Sequence, residues 1–326
     1  MQRPAGASPD SPHAWALSDG RAGNARQAEA LAAAIDPGFV ACTLVPRAPW
    51  RWLAPRALPA ATRAFGDGFA RVLEGPPRIA IGCGRQAALA TRLLGRRGAR
   101  TVQVLDPRVD PRHWDLVVVP GHDRLRGANV ITLLGSLNPV DDAWLERARV
   151  QFPVLGELPG PRTVLLLGGP TAHARYDAAR VRALCGELAA RAAAGSGSVL
   201  ATVSRRTPAD MAQAVRDALS GTPGLVWRGP DDGPNPYPGL LAWADRIVCS
   251  PDSVNMVSEA CATRAAVEVF DVARCDGRPR RFLEALAARG RIRAPGGDAA
   301  GTFEPLRETA RVAREVRARL GLDGGT

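Results

Sequence analysis

Ile247-Val248-Cys249-Ser250-Pro251-Asp252-Ser253-Val254-Asn255-Met256-Val257-Ser258-Glu259-Ala260-Cys261-Ala262-Thr263 holds a strand, a loop and the start of a helix in one short stretch. Arg246 to Cys249 is an apolar run of buried-strand length, and small and polar residues follow it. Asp252, Ser253 or Asn255 is then the N-cap of a helix. Ala265 to Phe270 is the next apolar run. The local pattern is a βαβ unit, and its loop lies beyond the strand's carboxyl end, where doubly wound sheets bind ligands. A helix N-terminus offers free N–H groups to a phosphate. Glu259, one turn in, repels a phosphate, but a carboxylate suits the two hydroxyls of a ribose. A capped helix with Glu259 turned to water fits the same spacing.

The residues around this stretch repeat the pattern. Upstream, Arg162 to Leu167 reads as a strand ending in Gly168-Gly169-Pro170-Thr171, and paired glycines permit close approach by a phosphate or sugar. A helix over about 177–194 crosses to the strand Ser198 to Thr202, which runs into Ser204-Arg205-Arg206-Thr207-Pro208. Two arginines at a strand's end, ahead of a helix with Pro208 at N1, are candidates to bind an anion; exposed surface charge is the competing reading. Leu225 to Trp227 is strand-like, Asn235-Pro236-Tyr237-Pro238 a rigid turn, Leu240 to Ala244 a short helix and Arg280 to Ala288 a longer one. The last helix, 304–320, alternates Arg with apolar residues in a way suited to packing back across a domain interface.

The amino-terminal half has the same grammar. Residues 1–13 are polar and Pro-rich and read as disordered. The strand Ala14 to Leu17 then meets Ser18-Asp19-Gly20-Arg21-Ala22-Gly23-Asn24 and a helix over 25–35. Gly20 and Gly23 allow a sharp turn but do not form G-x-G-x-x-G, so no dinucleotide site is indicated. Asp19 stands where sheet proteins place functional side chains, and a turn Asp is the alternative. Further strands are 39–45, 78–81, 101–105, 116–119 and 129–133. Gly82-Cys83-Gly84-Arg85 puts Arg85 at a helix N-terminus, within reach of an anion. His122 sits at a strand's carboxyl end, where a lone His is a structural or a catalytic candidate. Trp50 and Trp52, interleaved with Arg in a Pro-broken segment, either pack a lid helix or touch a membrane interface. Short apolar runs alternating with helices make this half a parallel α/β sheet. The Pro- and Gly-rich stretch 151–161 is the linker.

Composition sets the outer limits. A chain of 326 residues suffices for two domains, here 14–152 and 161–303, with a terminal helix over 304–321. All 43 basic residues are Arg, so Schiff-base and P-loop lysine chemistry are excluded. The formal charge of +11 is spread along the chain, which suits an anionic ligand but points to no nucleic-acid partner. The six Cys form no C-x-x-C pair, so neither a metal site nor a disulfide framework is expected. No apolar h-region opens the chain and no stretch reaches the ~18 apolar residues of a membrane span. The expected location is the cytoplasm, with peripheral contact to the inner membrane as an option.

Asp19-Gly20-Arg21-Ala22-Gly23…Gln27, Gly168-Gly169-Pro170, Ser204-Arg205-Arg206-Thr207, Asn235-Pro236-Tyr237 and Asp252 to Ala260 together resemble the signature blocks of the "elongated mitochondria" fission family, over roughly 14–320. That family is similar to the GT-B glycosyltransferases. The resemblance implies two Rossmann-like, doubly wound parallel-sheet domains facing a cleft, with the carboxyl-terminal domain holding a nucleotide diphosphate-sugar donor. Glu259 would take the ribose. Ser253, Asn255, Met256 and Ser258 would line the loop, with Arg205 or Arg206 on the diphosphate. Gly168, Gly169, Ser204, Asn235, Tyr237 and Asp252 complete the donor side. Asp19 would be the catalytic base, with Gly20, Arg21, Gly23, Arg85 and His122 on the side of a lipid or glycan acceptor. No cofactor and no metal are implied, in keeping with the absence of a D-x-D sequence. The resemblance also carries an alternative, a non-enzymatic adaptor that recruits a membrane-remodelling partner. Where the GT-B group has Thr-Gly-x-Pro after the Glu helix, this chain has Thr263-Arg264-Ala265-Ala266.

Overall fold

The computed structural model describes residues 14–296 and 303–322. The chain divides into two units: one takes the described residues up to Pro139 and those from Glu308 onward, the other Val140–Arg307. The stretch 1–13, expected to be disordered, lies outside the described residues.

The first unit runs β1 (Ala14–Ser18), α1 (Ala22–Ile35), β2 (Val40–Thr43), the single turn α2 (Trp50–Leu53), α3 (Gly66–Glu74), β3 (Ile79–Cys83), α4 (Arg85–Gly95), β4 (Arg100–Val104), β5 (Leu116–Pro120) and β6 (Val130–Leu133). Its six strands lie in the order β2-β1-β3-β4-β5-β6, all parallel. The apolar runs are continuous rather than alternating because helices cover both faces; every residue of β5 is buried. The order reverses between β1 and β3, so the loops bearing Asp19 and Gly84-Arg85 open side by side at that switch point.

The second unit runs α5 (Asp142–Gln151), β7 (Arg162–Leu167), α6 (Ala178–Gly195), β8 (Ser198–Val203), α7 (Ala209–Ala218), β9 (Gly224–Trp227), α8 (Tyr237–Trp243), β10 (Arg246–Cys249), α9 (Val254–Cys261), β11 (Ala266–Val269) and α10 (Gly277–Ala288). Its five parallel strands take the order β11-β10-β7-β8-β9. Here the reversal falls between β7 and β10, whose loops are Gly168-Gly169 and Ser250-Pro251-Asp252. Val181, Leu188, Met211 and Val215 of α6 and α7 close one face over Leu165, Leu167 and Ala201.

The remaining helix, α11 (Thr309–Leu320), belongs to the first unit. Val312, Ala313, Val316 and Leu320 form one stripe that fills the core beside Leu31 and Ile35 of α1. The Thr309 hydroxyl donates to the Asn138 carbonyl at 2.8 Å, and Arg311 and Arg319 donate to the carbonyls of Thr132 and Ala128. The sequence reading ended the first domain at 152 and began the last helix at 304. In the structure α5 instead lies with the second unit, because Trp243 packs over Gly156 and bonds the Phe152 carbonyl at 2.9 Å. The last helix begins only at Thr309. At the other end of the chain α1 starts at Ala22, so Gly23 is a helical residue and Gly20, with φ of +76°, makes the turn.

Candidate functional site

In the first unit, the Asp19 carboxylate accepts from the Arg21 N–H at 3.2 Å and from the Asn24 side-chain amide at 3.0 Å. Asn24 in turn faces the Cys83 thiol at 3.7 Å, and Gly84 leaves it room: a Cβ there would stand 2.6 Å from the Asn24 amide nitrogen. Burial, and secondarily the Asp19 charge, push the Cys83 thiol far above its ordinary range, so it is no nucleophile. Arg21 lies 3.6 Å from Asp19 and is otherwise in solvent. Arg85 is exposed as the first residue of α4, and His122 is half-buried in the turn after β5. Gln27 is buried and donates to the Gly23 carbonyl. Asn24, which the sequence reading passed over, sets the carboxylate's orientation.

In the second unit the switch point is built around Asp252. Its side chain is fully buried, and it accepts from Tyr176 at 2.8 Å, Ser250 at 2.6 Å, the Gly169 N–H at 3.2 Å and Arg206 at 2.8 Å. Gly168 is obligatory here, since a Cβ would stand 2.2 Å from the carboxylate; one on Gly169 would meet the Arg206 carbonyl at the same distance. Thr207 donates to the Gly168 carbonyl at 2.6 Å and Ser204 takes the Arg206 N–H at 3.2 Å, so the Ser204–Thr207 turn is laced to the glycine loop. Arg206 is thereby committed to Asp252. The Arg205 side chain is exposed and makes no hydrogen bond or ion pair with described residues.

The N-cap of α9 is Ser253, whose hydroxyl accepts the Met256 N–H at 3.3 Å; Asp252 is turned inward instead. Asn255 and Met256 are half-buried on the first turn, and the Ser258 hydroxyl donates to the Val254 carbonyl inside the helix. Glu259 is 2% exposed, so it does not face water, and the Tyr237 hydroxyl donates to it. The exposed Asn235 caps the Tyr237 N–H at 3.0 Å and fixes that ring's approach. The structure therefore joins Gly168, Gly169, Ser204, Arg206 and Asp252 in one network, while Ser253, next in the chain, serves α9 as its cap. Tyr237, Glu259 and Asn235 form a second group on α8 and α9. Tyr176 and Ser250 were missed from sequence, because no local pattern shows that a distant Tyr returns to Asp252. Burial and the Asp252 charge hold the Tyr176 hydroxyl protonated, as its donor role requires.

Among the described residues no group of three or more His, Cys, Asp and Glu could hold a metal ion. No helix among them is long and apolar enough to cross a membrane. Trp50 packs against the core, whereas Trp52 is 63% exposed.

Two doubly wound, all-parallel α/β units, each with its polar loops gathered at a switch point, define the GT-B class. Two solved structures share the fold: UDP-GlcNAc 2-epimerase of Methanocaldococcus jannaschii (TM-score 0.57, 13% identity, covering 94% of this chain and 98% of that one) and UDP-GlcNAc 2-epimerase of Neisseria meningitidis (0.54, 12%, 94% and 99%). The family described as Mitochondrial fission ELM1 matches residues 22–320, and the chain belongs to it. Mitochondrial fission protein ELM1 of Arabidopsis thaliana is 30% identical over 280 residues, covering 76% of this chain; the chain spans 65% of that relative's length.

Proposed function

We propose that this protein is a GT-B-type glycosyltransferase that binds a nucleotide diphosphate-sugar on its second unit and passes the sugar to a hydroxyl of an envelope lipid or glycan. The observation that carries the reading is the convergence at the β7/β10 switch point. A glycine loop, an arginine turn and a capped helix N-terminus meet there, with a buried carboxylate one turn along. A scaffold has no use for a buried carboxylate beside such loops. The Neisseria meningitidis epimerase of the same fold is bound to UDP-GlcNAc, which suits this class of donor.

In this reading Glu259 takes the ribose hydroxyls in the position now filled by the Tyr237 hydroxyl. Arg205 supplies the cation for the diphosphate, while Arg206, paired with Asp252, holds the loop in shape. The acceptor oxygen forms its bond to the anomeric carbon as the sugar–diphosphate bond breaks. The bonding pair leaves on the diphosphate, and the acceptor's proton passes to Asp19. Arg205 and the α9 N-terminus meet the charge that develops on the leaving group. No cofactor enters this step. Trp52, exposed and with the Arg51 guanidinium 5.8 Å from its ring, is the place for a peripheral contact with a lipid surface.

The test is a thermal-shift series of nucleotide-sugars against wild type and Glu259→Ala. A true donor stabilises the wild type by about 2.7 kcal/mol at a hundredfold excess over its Kd. The same compound leaves Glu259→Ala unchanged. If no nucleotide-sugar stabilises the wild type, the donor reading is wrong. The adaptor reading, which rests on the mitochondrial-fission name of the plant relative, then takes its place.

A further inference from the structure

Loop 168–177 carries a second polar group that the donor site as described does not use. His173 Nδ1 lies 2.5 Å from Asp276 Oδ1, and the other oxygen of that carboxylate accepts from Arg175 at 3.1 Å. The loop holding the imidazole is pinned. Thr171 and Ala174 bridge each other, Ala174 bridges Cys275, the Asp276 N–H donates to the His173 carbonyl at 3.0 Å, and Ala174 is fully buried. Gly277, with φ of +63°, takes a backbone shape that side chains disfavour, just where a Cβ would stand 3.3 Å from the imidazole.

Asp276 occupies the N-cap position of α10, yet its side chain caps nothing. An aspartate there ordinarily accepts a first-turn N–H. Here the carboxylate is turned to His173 and Arg175 instead. A carboxylate on Nδ1 fixes the ring with a proton on that nitrogen, and when the ring carries its second proton Nε2 is a donor as well. His173 Nε2 has no partner among the described residues, and the side chain is 62% exposed. The pair stands close to the Asp252 network, because both ends of the loop are tied to that residue: the Gly169 N–H at 3.2 Å and the Tyr176 hydroxyl at 2.8 Å. Tyr176 stands three positions along the chain from His173, a span of at most about 11 Å. A surface ion pair has no need of a pinned loop, a forgone helix cap and a position at the carboxyl end of β7.

We propose that His173, oriented by Asp276 and carrying both ring protons, donates from Nε2 to the distal phosphate of a nucleoside diphosphate bound at the end of β7. This rests on the donor-binding reading above and adds the group that recognises the diphosphate. His173 is the residue that touches the ligand; Asp276 is a positioning residue.

The experiment follows the histidine ring carbon–proton resonances of the full chain by NMR while UDP, CDP or GDP is added, with the matching nucleosides as controls. The chain has 4 His, so loss of one signal in His173→Asn assigns it. The expected result is that the His173 signal moves with a diphosphate and stays still with a nucleoside. His173→Asn then weakens diphosphate binding about tenfold, the loss of one charge-assisted hydrogen bond, and leaves nucleoside binding unchanged. Asp276→Asn shifts the ring nitrogen signals of the free protein, since the tautomer is no longer held, and weakens the diphosphate while its imidazole persists. If a diphosphate binds in a Glu259-dependent way while the His173 signal stays still, the pair is a surface ion pair and only this inference falls. If no nucleoside diphosphate binds the wild type, the donor reading and this inference fall together. The resonance is read in the unaltered protein, so the outcome does not depend on a variant folding.

Discussion

Asp252 and Gly168 show how much one contact can decide. The carboxylate is buried, and four donors converge on it from β10, the glycine loop, Tyr176 and Arg206. Such a group is tolerable inside only while its partners are present. In Gly168→Ala the new methyl would stand 2.2 Å from the carboxylate, which must swing away and release Arg206 and Tyr176. Urea unfolding should report a loss of about 2–4 kcal/mol. Asp252→Ala should cost a similar amount, about 3 kcal/mol, because the Tyr176 hydroxyl and the Gly169 N–H are left buried without their acceptor. An unchanged midpoint for both variants would mean that the network is not formed in solution. At this scale the sequence pointed to Asp252, Ser253 and Glu259 by position. It left their directions open: Asp252 faces in, Ser253 caps, and Glu259 is closed over by Tyr237.

At the scale of the element, α9 shows how the chain ends a helix with no glycine after it. The α9 end is held instead by arginines. Arg291 donates to the carbonyls of Cys261 at 3.0 Å and Thr263 at 2.7 Å, and Arg307 to that of Ala262 at 3.0 Å. The Cys261 and Ala262 carbonyls are orphan acceptors of the helix end, so the guanidinium groups do the work of a cap. Arg291→Met keeps the volume but strips the donors; the expected loss is about 2–4 kcal/mol, by the same urea titration. The sign of a nearby pH effect also follows. Hydrogen bonding from Arg307 pulls the Asp142 carboxyl from 3.8 down to about 2. Its contribution is therefore fully present above the ordinary value and is lost as pH falls through about 2. Asp142→Asn should flatten the acid limb of the stability profile between those values, and a profile superimposable on wild type would refute the pairing. Glu268 is a third case: fully buried, it sits 2.6 Å from Arg246 and 3.7 Å from Arg191. Replacement by Leu strands those guanidiniums, at a cost of about 3–5 kcal/mol in thermal or denaturant unfolding.

On the scale of the molecule, the chain enters the second unit at Val140 and returns to the first at Glu308. The first unit is therefore not complete until the last helix is made. Val312, Ala313, Val316 and Leu320 supply part of its core, and their burial contributes on the order of 5 kcal/mol. Stopping the chain before Glu308 should lower the unfolding transition of the first unit while the second unit's transition stays in place, two features separable by calorimetry. A single transition that moves as a whole would overturn this division of labour.

The sequence by itself determined the two all-parallel sheets and the position of each polar loop at a strand's carboxyl end. Hydrophobic runs of strand length, helix periodicity and turn residues are local signals, and β7 and β10 begin and end where those signals place them. It also carried the family, through the short blocks quoted above. Only the tertiary structure decided which unit owns α5 and α11, because the stripe on each helix says that it is buried but not against what. The same holds for Arg205 and Arg206, indistinguishable in the sequence until Asp252 takes one of them. Asn24, Tyr176, Ser250 and Asp276 belong to that class as well. Their partners lie far along the chain or on another element, and a polar side chain gives no local sign of the direction in which it will be turned.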